Sequence, residues 1–275
     1  LMLQSSPKIF SNIILISGIL LMIVPIWMIF ASSTHSNSTI RSEGMQIFIG
    51  DNFVENYDKV LNIKGGFYKE ITATSMLINS FIMAIGIASL TVVISLMSAF
   101  AIVYFKFKLA VPFFWLIFVT ILVPLELRIM PSYQVVSDLG LTNSYAGLIL
   151  PLSASAIATF FFRQFYLSIP NELLEAAKLD GANSWKFFID FLIPLSKTMI
   201  MAVFIFMFIY GYNQYLWPLI MTTSEKYWTV VMGMKILNIR SSVEGYAYII
   251  LSILPPALVI IILQRYFIQG LFQSK

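Results

Sequence analysis

The chain has 275 residues, 59% of them hydrophobic and only 11% charged, with a mean hydropathy of +0.87. Seventeen Lys/Arg and thirteen Asp/Glu cannot cover a water-soluble domain of this size. Composition therefore excludes soluble, disordered, collagen-like and disulfide-scaffold classes. The absence of cysteine excludes disulfides, Cys-based metal centres and thiol catalysis, and a net charge of +4 makes no nucleic-acid patch.

A bilayer core about 30 Å thick needs about 20 apolar helical residues to cross it. Six stretches qualify, at 10–31, 76–104, 110–131, 145–165, 192–221 and 246–267. The expected fold is an all-α membrane protein of six transmembrane helices in one domain, 1–275. The first stretch is longer than a signal-peptide core of about 7–15 residues, so it reads as a retained span. Ser32–Thr39 is a polar exit from it, leading to a long loop over 40–70. The second span carries Ala84/Ala88 and Ser95/Ala99, and the fourth Ala154/Ala158 and Ser155/Thr159. Small residues four apart let helix backbones approach closely in lipid.

The tight 104–110 connection carries Lys106 and Lys108 with no acid. The 131–143 connection carries no base, so the positive-inside rule puts both termini in the cytoplasm. The cytoplasmic set is then Lys8, Lys106, Lys108, Arg163, Lys178, Lys186, Lys197, Arg265 and Lys275. Pro25, Pro124, Pro151, Pro218 and Pro255–Pro256 fall within or beside spans and predict kinks or broken helices.

In the third span, just after Pro124, stand Glu126 and Arg128, read as the only charges inside a span. Such charges cost about 2.5–3.5 kcal/mol at a helix centre on insertion scales and are functional candidates by default. An arginine fork facing a water-filled path suits a phosphate, whereas snorkelling to the interface needs no substrate at all.

Between the fourth and fifth spans, the 168–194 segment is far longer than a simple connection of about 2–8 residues. Pro170 suits the first turn of a short helix, with Glu172 and Glu175 near its positive end and Leu173, Leu174 and Ala177 on one face. Gly181 is placed to end that helix in a left-handed conformation. Ser184 is placed to cap a second short helix over 185–190 that feeds the fifth span. This is a helix–turn–helix outside the membrane, built as a docking surface. In the fifth span, Gly211 and Pro218 weaken the helix, and Asn213 and Gln214 set amides where lipid offers no partner. The Tyr210–Pro218 cluster, with Tyr215 and Trp217, reads either as an aromatic interface belt or as a grip for polyol hydroxyls.

The pattern Glu175-Ala176-Ala177, three residues, Gly181, nine residues, Phe191-Leu192-Ile193-Pro194 resembles the EAA loop of permease subunits of bacterial ABC importers. Phe191 and Ile193 replace the family's Ile and Leu. Leu139–Pro151 and Phe160–Phe165 resemble importers of the carbohydrate-uptake type. Leu125–Ile129, Pro194–Lys197 and Tyr210–Pro218 are more specifically similar to the second permease subunits of glycerol-3-phosphate importers.

The resemblance implies a permease that forms half of a translocation pathway in the bacterial inner membrane. It implies a second permease subunit as heterodimer partner, two ATP-binding subunits and an extracytoplasmic substrate-binding protein. ATP and magnesium would be bound by the ATPase subunits, and this chain would be no enzyme and carry no cofactor. No Gly-Lys-Ser/Thr phosphate loop occurs in it. The coupling residues would be Glu175, Ala176, Ala177, Asp180, Gly181 and Pro194. Arg128, Glu126, Asn213, Gln214, Tyr215 and Trp217 are the candidates for the substrate path. Glycerol-3-phosphate, a related polyol phosphate or a neutral oligosaccharide all fit as cargo. A secondary transporter, the rival from another class, normally shows internal repeats and an embedded ion site, and the sequence shows no repeat.

Overall fold

The computed structural model describes residues 6–62, 71–105, 107–236 and 242–272. Lys106, Lys275, and residues 63–70 and 237–241 of the two longer loops lie outside them. Among the described residues there are helices and no β-strand. Three helices are long and apolar enough to cross a membrane: Ile9–Ser32, Ala73–Tyr104 and Val243–Tyr266. Three pairs of shorter helices, 110–138, 145–167 and 184–212, are as apolar and long taken together but meet at bends of 110°, 48° and 73°. Six spans stand if each pair is one crossing.

In chain order the helices are α1 (Ser6–Ser32), α2 (Asn37–Glu43), α3 (Phe53–Asn62), α4 (Ala73–Tyr104), α5 (Ala110–Val119), α6 (Leu125–Asp138), α7 (Tyr145–Ile149) and α8 (Ala156–Leu167). They continue as α9 (Asn171–Leu179), α10 (Ser184–Phe187), α11 (Ile193–Leu195), α12 (Lys197–Tyr212), α13 (Leu216–Met221), α14 (Val230–Ile236) and α15 (Val243–Phe272). Residue contacts divide them into two compact units: 1–76 with 233–254, and 77–232 with 255–275.

The first unit is organised by the end of α1. Ser32–Thr34 are fully buried and serve as a polar hub rather than as a plain exit. The Gly50 amide donates to Thr34 Oγ1 at 2.7 Å, and the Asn56 amide donates to the carbonyls of Ser33 and His35. The Trp27 indole donates to the Ile47 carbonyl at 2.8 Å. Asn37 donates to both oxygens of Glu244 and accepts from the Val243 amide, tying α2 to the start of α15. Sequence distance hid these partners, because each bond spans more than ten residues.

The second unit packs around α4. Ala84, Ala88, Ser95 and Ala99 have no exposed surface, so the small-residue row is a helix–helix contact as its spacing predicts. Gly211 of α12 lies against it: a Cβ there would sit 3.2 Å from the Ala84 Cα and from Ile87. Gly211 therefore permits close approach of two backbones, and α12 runs through it unbroken to Tyr212.

The prolines divide into two groups. Pro25, Pro131, Pro255 and Pro256 stay inside continuous helices. Pro124 and Pro151 mark breaks. Val123 is extended (φ −90°, ψ 108°), as a residue before proline prefers, and α6 starts afresh after Pro124. Pro151 lies in a 3₁₀ turn (Leu150–Leu152), and the chain bends 48° before α8. Pro218 sits in the first turn of α13, where a missing N–H costs little. α6 runs on to Asp138, past the expected end at 131: Ser132 and Gln134 end the apolar window but not the helix.

Candidate coupling and translocation sites

The 168–196 segment folds as two helices and a tight turn. Pro170 is the N-cap residue, one place before the first turn where the sequence put it. In α9, Leu173, Leu174 and Ala177 face the core, and Ala177 is 2% exposed. Glu172, Glu175, Ala176, Leu179 and Asp180 face outward. Gly181 closes the helix at φ +76°: its amide donates to the Lys178 carbonyl (3.0 Å), and the Ala182 amide donates to the Ala177 carbonyl (2.9 Å). This is the Schellman geometry, with Ala182 packed on the same core as Ala177.

Asn183, not Ser184, caps the next helix, because its side chain reaches the Lys186 amide at 2.8 Å. A π-helical turn over Phe188–Leu192 follows, then Pro194 in α11. The wider turn relieves the clash a proline ring makes with the carbonyl four residues earlier. A 73° bend at Ser196 then starts α12.

An aromatic cluster fastens this loop to two spans. Phe188 lies 4.8 Å from Phe100 of α4, and Phe187 lies 5.4 Å from Tyr104. Tyr104 meets Tyr166 of α8 at 5.9 Å, all distances between ring centroids. Leu179 (89% exposed) and Trp185 (56% exposed) are left as large apolar groups on the outward face.

A second feature lies where the breaks meet. A pocket of about 250 Å³ is lined by Thr120, Pro124, Arg128, Ser155, Met207 and Tyr210, among others. It joins the α5–α6 break, the α7–α8 break and the later part of α12. Arg128 therefore stands in the first turn of α6, just after the break at Pro124. It forms no hydrogen bond or ion pair with a described residue.

Glu126 does not line the pocket: at two residues' separation it lies on the opposite side of α6. Asn213 caps the end of α12 and is exposed, and Gln214 donates to the Tyr210 carbonyl at 3.2 Å. Tyr215 is half-buried, whereas Trp217 is a packed core residue at 1% exposure. The structure thus brings Arg128 to Tyr210 and leaves Asn213, Gln214, Tyr215 and Trp217 off the pocket wall. Arg163, inside α8, is placed over the Phe114 ring at 4.1 Å. Stacking on an aromatic face is what lets it stay there.

Residues 92–273 match the family described as binding-protein-dependent transport system inner membrane component. The chain belongs to this family. As a member it is a multi-pass inner-membrane permease subunit. Its matched region holds the aromatic cluster, the loop and the pocket. The permease is 42% identical to the sn-glycerol-3-phosphate transport system permease protein UgpE of Rhizobium meliloti, over 100% of both chains. It is 41% identical to the protein of that name from Yersinia pestis, over 97% of this chain and 96% of that protein. Among solved structures it resembles a chain in the crystal structure of a bacterial ABC transporter involved in the import of the acidic polysaccharide alginate. The TM-score is 0.81 and the identity 21%, over 97% and 98% of the two chains. That likeness bears out the permease fold.

Thr120 and Ser155 carry no sequence signal as pocket residues, and Tyr210 is singled out only as part of the 210–218 cluster. Only the prolines flanking them hinted that breaks would gather there.

Proposed function

We propose that this permease forms half of the translocation pathway of an ATP-driven importer for sn-glycerol-3-phosphate or a closely related polyol phosphate. The observation that carries this reading is full-length similarity, at 41–42% identity, to permease subunits named for that substrate. The loop over 168–196 supports it, because an outward helix–turn–helix clamped to α4 and α8 is a handle by which another protein can move spans.

In this reading both termini are cytoplasmic, and a second permease subunit completes the pathway. Two ATPase subunits, which bind ATP and Mg²⁺, grip the loop through Glu175, Ala176 and Asp180. Ala177 and Gly181 fix the loop's shape, and Pro194 sets the angle at which it enters α12. An extracytoplasmic binding protein delivers cargo from the other side. Coupling requires only that nucleotide and loaded binding protein favour the same state of the permease pair. Arg128 faces the cargo, with Glu126 behind it. Asn213, Gln214 and Tyr215 meet the cargo outside this pocket, past the end of α12, with Trp217 supporting them from the core.

The test is uptake by proteoliposomes holding the full complex and its binding protein. ATP-dependent accumulation of labelled sn-glycerol-3-phosphate is expected, lost when 171–186 is replaced by a flexible linker. Accumulation of a neutral oligosaccharide but not of the phosphate would overturn the substrate. Unimpaired uptake without the loop would overturn the coupling role.

A further inference from the structure

We infer that the pocket between the two helix breaks and α12 is a transit site for the anionic end of the cargo, with Arg128 as its ligand and Tyr210 beside it. The inference rests on the transport reading above and specifies where in this chain the phosphate is held. Four observations carry it.

Arg128 lines the pocket and has no anionic partner, since the only ion pair among the described residues is Lys59–Glu55. No carboxylate lines the pocket, although Glu126 lies near enough to act on Tyr210 in its wall. The hydroxyls at its edge retain capacity for a polyol. Ser155 accepts from the Ala158 amide, which leaves its O–H to donate. Thr120 donates to the Ile117 carbonyl, which leaves its lone pairs to accept. The rest of the wall is apolar, from residues such as Val123, Ile157 and Phe206, and suits a short carbon chain.

Size points the same way. Sites for drug-sized ligands run from about 300 to 1,000 Å³, so about 250 Å³ suits a smaller molecule. A planar guanidinium offers two parallel donors to a phosphate, and a membrane interior strengthens that bond relative to water. The starts of α6 and α8 reach the same pocket and reinforce its positive field.

The natural lack of cysteine in this chain makes the test direct. Ala154, exposed on the pocket wall, is replaced by cysteine in the complete complex in nanodiscs. Its labelling by an anionic and a cationic methanethiosulfonate is then timed. The anionic reagent should react faster by about threefold or more, the size of one charge acting through partly hydrated space. During ATP turnover with binding protein present, sn-glycerol-3-phosphate should slow labelling, and glycerol should not. Adding Arg128→Gln should remove both the preference and the protection and lower kcat/KM for uptake about 10- to 100-fold. Arg128→Lys should keep the charge preference but lose most of the protection, and it decides the matter if Arg128→Gln fails to assemble.

Equal labelling by both reagents, no labelling at all, or protection that survives Arg128→Gln would each overturn the site while leaving the transport reading intact. Failure of the unsubstituted complex to take up sn-glycerol-3-phosphate would instead overturn the transport reading.

Discussion

Gly181 offers the sharpest separation of backbone geometry from side-chain contact. Its φ of +76° lies in the left-handed region, yet a Cβ built on it meets no atom within 4 Å. Substitution therefore costs backbone strain and nothing else in this chain. For an ordinary L-residue that strain is about 1–2 kcal/mol, and it is smaller for Asn and Asp, which visit this region more readily. Opening the turn to escape the strain would forfeit the bonds from Gly181 to Lys178 and from Ala182 to Ala177. Each is worth about 1 kcal/mol net, so the strained turn and the open turn become comparable in population. The intact loop then falls from dominant to a fraction, and coupling falls with it. The expected order of ATPase stimulation by loaded binding protein is Gly, Asn, Asp, Ala, Val, with Val lowest. The assay is stimulated ATPase activity and uptake on the same preparation, with basal ATPase as the control for assembly. If Asn proves as harmful as Val, or if damage follows side-chain volume, the position acts by contact with a partner and the strain argument fails.

Other positions give independent checks. Gly211→Leu drives a side chain into Ala84 and Ile87 and should cost about 1–3 kcal/mol, seen as a lower Tm of the purified complex. Gly211→Ala should cost less, and an unchanged Tm for Leu would refute the close packing of α12 on α4. Asn143 sits at φ +53° and accepts from the amides of Thr223 and Ser224, both at 2.8 Å. Asn143→Ala should lower stability by about 1–3 kcal/mol, whereas Asn143→Asp keeps the acceptor and should stay near the parent in a melting assay. In α3, the hydrogen bond and charge of Lys59 hold the Glu55 carboxyl below its ordinary range, and Glu55 in turn raises Lys59. The lowered carboxyl means that this contribution is present above the usual carboxylate range and is lost as pH falls through the depressed value. Carboxyl NMR titration should find the Glu55 midpoint low, and Lys59→Ala should raise it.

The long apolar helices and the short helix ended by Gly181 were legible because each follows from a local signal: an apolar run of membrane length, or a motif with fixed spacing. What escaped was set by non-local partners. Nothing around Gly211 announces that Ala84 waits opposite, so its lack of a side chain reads as helix weakness until the packing is known. Ser33 and Thr34 look like an ordinary polar exit because Asn56, Gly50 and Tyr57 lie sixteen or more residues away. The third span was cut short at 131, since an apolar window ends where Ser132 and Gln134 begin although the helix does not. Arg128 stands just after Pro124 in both the sequence and the structure; what the sequence leaves open is that residues of α8 and α12 gather at the same break.

The loop and the pocket are joined by the same two helices, and this gives the arrangement its mechanical sense. α8 begins at the pocket with Ala156 and Ile157 and ends at Leu167, where the loop starts. α12 begins at Lys197, one residue after the loop's last bend, and reaches the pocket at Met207 and Tyr210. Twelve and sixteen residues of helix span about 18 and 24 Å, and each is free of internal proline. Phe187 and Phe188 hold the loop to α4 through rings about 5 Å apart, and Tyr104 of α4 meets Tyr166 of α8, so the loop is packed against the spans it would move. The breaks at Pro124 and Pro151 lie at the other end of this linkage, where backbone pairing is already interrupted and bending costs least. Under the proposed coupling role, a pull on the loop reaches through α8 and α12 to the pocket where the breaks at Pro124 and Pro151 meet the later part of α12 beside Arg128.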